Sequence, residues 1–221
     1  NVLVGGTDVG GCFSPNLLTI RCYLDAGVSA GARVRMTFAG VTNPDTAGSK
    51  QLTVGIQGTA HSAPGSFNVV AGGTVGDVTL THTGTSLAAG ARTVYAIEFT
   101  ASATGALASA ANSRIRLTMP AGTTFAGGVT SNVFVGGTDV GGCFSPNGLI
   151  IDCFLNTGAS IAAGARVTVT LAGVSNPDTP GLKRVAVSTT SDPGPIDSTA
   201  INVVAGSPPA DVTIAIANPD A

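Results

Sequence analysis

Four cysteines are the residues best placed to do chemistry, and they come as two pairs at one spacing. Cys12 and Cys22 stand ten positions apart, as do Cys143 and Cys153, and each pair brackets a Ser-Pro-Asn turn containing Pro15 and Asn16 or Pro146 and Asn147. A turn between two extended segments lets each pair meet across a hairpin, so disulfides Cys12–Cys22 and Cys143–Cys153 are expected. Closing a loop of about 11 residues stabilises a fold by roughly 3 kcal/mol on the chain-entropy estimate. Zinc is one rival use for the thiols, but zinc wants closely spaced Cys knuckles or nearby His. His61 and His82 have no partners at matching places. Free buried thiols are the other rival. A bonded pair in each hairpin favours an oxidising compartment.

The remaining reactive types are sparse. Asp8 and Asp139 lie in GGTDVGG, and Asp45 and Asp178 follow Pro44 and Pro177 in Asn-Pro-Asp-Thr. Ca²⁺ needs six to eight oxygens, and the simpler role of these acids is to cap turns. Glu98 is the sole Glu, so glycoside hydrolysis by paired carboxylates has little to draw on. Nucleophilic catalysis needs a Ser or Cys with a His and an orienting acid, whereas His82 reads as a solvent-facing strand residue between Thr81 and Thr83. GGTDVGG has neither the following helix nor the Lys-Ser/Thr of a phosphate loop, and its glycines suit positive φ or a bulge. Sugar stacking draws on Trp and Tyr, and the chain has no Trp and two Tyr, Tyr23 and Tyr95. Rows of alternating Thr suit an exposed strand face as well as a polymer-binding one. Lys50 or Lys183 beside Asn43 or Asn176 has the makings of an isopeptide crosslink, although a Lys just after a loop is more simply an exposed strand end. The expectation is no enzyme, no metal and no cofactor.

The elements that position these residues are set by an internal repeat. Asn1 to Leu24 and Asn132 to Leu155 are identical at 19 of 24 positions, at an offset of 131. Downstream, AGARVRMTFAG at 30–40 recurs as AGARVTVTLAG at 163–173, and VTNPDTAG at 41–48 as VSNPDTPG at 174–181. NVVAG closes each copy, at 68–72 and 202–206. A fixed period has to be read before any local motif.

Composition bounds the class. Charged residues make up 10% of 221 and the net charge is −2, which gives no electrostatic footprint for nucleic acid. No apolar run reaches the length of a membrane-spanning helix. With 31 Gly, and with Val, Ile, Leu and Phe in short alternating runs, the chain reads as many short strands joined by turns. Val34, Met36 and Phe38 alternate with polar residues, which predicts a strand with one buried face. Tyr95, Ile97 and Phe99 do so in the middle of the chain, and Ile115, Leu117 and Met119 oppose Arg114 and Arg116. No window holds a helical period. About eight strands per unit of about 130 residues suit a two-sheet antiparallel sandwich.

The order AAGARTVYAIEFTASATGAL, RIRLTMPAGTTF, VGGTDVGGC with its second Cys, AAGARVTVTLAGVSNPDT and NVV resembles the Ig-like β-sandwich repeats of large bacterial surface and secreted proteins. The resemblance spans the chain in order and composition, without residues that single out one family. It implies an all-β fold of tandem antiparallel modules and extracellular display as a stalk, fibre, surface layer or adhesin. The implied partners are neighbouring copies or modules of the same protein, with a surface glycan or protein ligand as the alternative, and neither nucleic acid nor membrane insertion.

Pro and Gly cluster where the two copies differ most, at 206–210 and 72–76, as boundaries do. The expected domains are 1–74, the C-terminal part of one module; 75–206, a complete module; and 207–221, the first strand of another. The alternative phase starts modules at Asn1. On the favoured phase residues 1–74 lack the counterpart of 75–131. They are then completed from outside, by more of a longer polypeptide in preference to a neighbouring subunit's strands.

Overall fold

The structure, a computed structural model, describes residues 1–16, 18–44, 46–58, 62–84, 86–125, 129–144 and 146–207. Asp45, His61 and the stretch 208–221 lie outside the described residues. The chain forms two units, Asn1–Asn43 and Pro44–Ala221.

The first unit is a four-stranded antiparallel sheet built from β1 (Val2–Val4), β2 (Thr7–Asn16), β3 (Thr19–Leu24) and β4 (Val34–Met36), in spatial order β3-β2-β1-β4. Gly5 and Gly6 turn β1 into β2 with φ of 58° and 89°. Such a two-residue hairpin turn needs positive φ at both central positions. Val2 is buried, whereas Ile20 and Val34 are 38% and 40% exposed. The buried face expected of Val34, Met36 and Phe38 is therefore not realised. The strand ends at Met36, Val34 is exposed, and Met36 and Phe38 are half-buried. The physical reason is that, among the described residues, β4 pairs with β1 alone, so no strand covers its other edge.

In the second unit, β5 (Gly48–Gly55) and β6 (Ser62–Val69) make a largely exposed hairpin. The body consists of β7 (Gly76–His82), β8 (Arg92–Thr100), β9 (Leu107–Ala108), β10 (Arg114–Thr118), β11 (Thr130–Val135), β12 (Thr138–Cys143) and β13 (Ile150–Leu155). It continues with β14 (Ser160–Ile161), β15 (Arg166–Ser175), β16 (Gly181–Lys183), β17 (Ala186–Thr189), β18 (Ile196–Asp197) and β19 (Ile201–Val203). Nine of these strands join one antiparallel ladder, β18-β17-β10-β13-β12-β11-β15-β8-β7, and β9/β14 and β16/β19 form two small pairs. The ladder's ends approach each other. Thr199, just after β18, donates its N–H to the Val78 carbonyl of β7. Opposite stretches of the sheet thus enclose one core.

Strict alternation supplies that core. Tyr95, Ile97 and Phe99 of β8 are buried, as are Ile115 and Leu117 of β10 and Val167, Val169 and Leu171 of β15. Burial favours pairing of polar groups, and two networks meet that demand, although among the described residues the Thr93 hydroxyl and Arg114 Nε are buried without a partner. The Tyr95 hydroxyl donates to Asn176 Oδ1 at 2.5 Å, and the Asn176 amide donates to the carbonyls of Ser86 and Ala88. Buried Asp192 accepts from the N–H and Oγ of Ser102 at 3.0 and 2.6 Å. His82 departs from the sequence reading. It shares the inward parity of Val78 and Leu80, is half-buried, and places Nε2 2.9 Å from the Ser86 carbonyl and its ring edge-on to Tyr95.

The repeat is visible in the topology. Strands β13-β12-β11-β15 reproduce the order β3-β2-β1-β4, with Val133 opposite Gly141 as Val2 is opposite Gly10, and Val135 opposite Val167 as Val4 is opposite Val34. In the larger sheet this block of four is flanked on both sides, by β10 and by β8.

Candidate functional site

The ladder between β10 and β13 sets Arg116 opposite Asp152 and Arg114 opposite Phe154. Ile115, Leu117, Ile151 and Cys153 point into the core. Side chains alternate across a strand, so Arg114, Arg116, Asp152 and Phe154 share the outer face. The β12–β13 hairpin rises beside them. Its tip is closed by reciprocal backbone bonds between Asn147 and Ile150, with Gly148 at φ 61°. Phe144 stands edge-on to Phe154, ring centres 5.2 Å apart, and is 67% exposed. The result is an open cleft of 490 Å³ lined by Arg116, Phe144, Asn147, Ile150, Asp152 and Phe154.

Its electrostatics are those of a closed ion pair. Arg116 Nε and Nη2 donate to the two carboxylate oxygens of Asp152 at 2.8 and 2.9 Å, and Arg114 Nη1 lies 3.6 Å away. Arg114 also sits over the Phe154 ring, 5.6 Å from its centre. The hydrogen bond from Arg116 holds the Asp152 carboxyl below the usual aspartate value and raises Arg116 in turn. A carboxylate tied to a guanidinium in this bidentate way is not free to act as a general base. The cleft offers two phenyl rings beside a carboxylate already bound by one guanidinium and approached by a second.

The cysteines form two bonds, Cys12–Cys22 and Cys143–Cys153, each between directly paired residues of neighbouring strands. Cys153 belongs to the core, on the face of β13 opposite the cleft. Of the turn residues, Asn147 lines the cleft and Pro146 is half-buried beside it. Pro15 lies in β2, Pro44 is exposed, and Asn16 Oδ1 accepts the Leu18 N–H at 3.0 Å. Pro177 is buried, with its carbonyl accepting from Gly90, and the exposed Asp178 donates its N–H to Gly122. Within the second unit, the Pro146–Asn147 turn borders the cleft, whereas Pro177 and Asp178 bond to Gly90 and Gly122. Asp139 caps the Gly141 N–H and accepts from the Asn132 amide. Lys50 donates to Thr46; Lys183 donates to Thr179 while the Asn176 amide donates to the carbonyls of Ser86 and Ala88, so among the described contacts Lys183 and Asn176 are engaged separately. Sequence reasoning missed Phe144, Asp152 and Phe154. The signal was available, because position 152 is where the repeat changes sign, from Arg21 to Asp152.

No protein-family model and no curated protein matches the chain. Among solved structures it resembles BslA, a bacterial hydrophobin, at 15% identity over 63% of this chain and 100% of that one, with a TM-score of 0.38. It also resembles BcpA, the major pilin subunit of Bacillus cereus, at 9% identity over 81% and 51%, with a TM-score of 0.38. A third is the collagen-binding domain of the Erysipelothrix rhusiopathiae surface protein RspB, at 12% identity over 78% and 59%, with a TM-score of 0.32. This chain thus spans about half of the pilin subunit and three-fifths of the collagen-binding domain. At such scores these likenesses carry no weight on function.

Proposed function

We propose that the chain is a non-enzymatic structural segment of an extracellular filament, stalk or surface coat assembled from tandem Ig-like modules. The observation that carries this reading is the repeated four-strand block, once alone in β3-β2-β1-β4 and once inside a full sheet. A unit made twice in one chain is a unit for building length. The module boundaries proposed are 1–74, 75–206 and 207–221, and the core supports the middle one, running from Val75 to Val187 with Ile196 and Ile201 packed against it. Few charges and a disulfide in each copy suit a durable surface in an oxidising setting. Electron microscopy of the native material tests the reading. Regular fibres or sheets are expected, and dispersed monomers in the native material would contradict it.

A second reading is favoured by one observation, the cleft with Phe144, Phe154 and the Arg116–Asp152 pair. It makes the module an adhesin or a polymer- or glycan-binding repeat. Specific retention on a glycan array, abolished by Phe144→Ala, is what this reading predicts.

A further inference from the structure

The first unit repeats the inner block of the larger sheet, with no flanking strand on either side among the described residues. In the larger sheet, β8 covers the outer edge of β15, setting Phe99 opposite Val167, Ile97 opposite Val169 and Tyr95 opposite Leu171. β10 covers β13, with Leu117 opposite Ile151 and Ile115 opposite Cys153. The corresponding edges in the first unit are β4 and β3, and neither has a second ladder partner among the described residues. Val167 and Ile151 are fully buried, while their counterparts Val34 and Ile20 are 40% and 38% exposed. Open edges next to apolar side chains are templates for another strand.

Charge says what kind of strand. Thr168, opposite Glu98, is replaced in the first copy by Arg35, and the neighbouring Arg166, which pairs with Glu98, is kept as Arg33. A β8-like strand bearing an acid at the position of Glu98 would thus meet two arginines. On the other edge Asp152, which binds Arg116, becomes Arg21. A β10 strand of the present sequence would set Arg116 against Arg21, and like charges directly opposite are unfavourable. Both open edges are basic on their outer face. Nor can a folded second copy supply the strands, because its β8 and β10 are each already paired on both sides.

We propose that β3 and β4 are acceptor edges for two extended partner segments, not already held in a sheet, one of the β10 and one of the β8 apolar pattern, with acidic residues at their outward positions. Each docks antiparallel, the first placing an acid opposite Arg21 and the second an acid opposite Arg35.

The test uses the full chain and synthetic peptides spanning residues 90–101 and 112–120, each in native form and with one charge reversed, Glu98→Lys and Arg116→Glu. Affinity is read by fluorescence anisotropy and location by amide hydrogen exchange. Native 90–101 should protect Val34–Met36 and bind about three- to tenfold more tightly than its Glu98→Lys form, as expected when one cross-strand charge pair is inverted. The Arg116→Glu form of 112–120 should protect Thr19–Leu24 and bind more tightly than native 112–120. Arg21→Asp in the full chain should reverse that second preference. Absence of protection at both edges, the opposite charge order, or self-association of the full chain through these edges would overturn the proposal.

Discussion

Asn176 shows how much a single side chain can settle. Its Oδ1 accepts the hydroxyl of Tyr95, which is 1% exposed at the centre of β8, and its amide ties two carbonyls of the loop before β8. Tyr95→Phe would keep the ring and orphan a buried acceptor, which costs about 1–3 kcal/mol. Burial also pushes the Tyr95 phenol up from 10.0 to about 12. A folded-state value raised above the unfolded one gives stability that is complete below about pH 10 and lost as pH climbs toward 12, because the unfolded chain releases its proton first. Urea denaturation across that window should show stability falling by at most about 1.4 kcal/mol per pH unit. In Tyr95→Phe this part of the slope should vanish. A slope unchanged by the substitution would mean that Tyr95 is not the group responsible. The inward position of Tyr95 was legible from alternation alone. Its bond to Asn176 was not, because Asn176 lies in a turn 81 residues away.

At the scale of elements, the Gly-rich hairpin is fixed by backbone proximity. A Cβ on Gly141 would lie 2.2 Å from the Phe154 carbonyl oxygen across the ladder, next to the register shift between Val133 and Phe134. Gly141→Ala should therefore destabilise the fold by about 1–3 kcal/mol, read as a lower denaturation midpoint with the slope unchanged. A neutral effect would show that the two strands can separate there without loss. Alternation, turns and the spacing of the cysteines all lay open in the sequence, since each depends on neighbours along the chain. What partners a strand has did not. AGARVRMTFAG and AGARVTVTLAG carry the same pattern, yet Val167, Val169 and Leu171 are buried while Val34 is exposed. The difference is the presence of β8, which periodicity within either segment cannot report. The cleft's residues meet only across the β10–β13 ladder, so its one trace in the sequence was the change from Arg21 to Asp152 between the copies.

At the scale of the whole molecule, one claim joins the two copies: the same four-strand block is a stable core when flanked on both sides and an open acceptor when it is not. Hydrogen exchange on the intact chain reads both copies in one experiment, under identical conditions. Ladder amides of Val167 to Leu171 and Ile151 to Leu155 should open only with global unfolding. Those of Val34 to Met36 and Ile20 to Leu24 should exchange faster by about a hundredfold or more, the equivalent of roughly 3 kcal/mol. Equal protection in the two copies would contradict the claim and remove the reason for expecting an incoming strand.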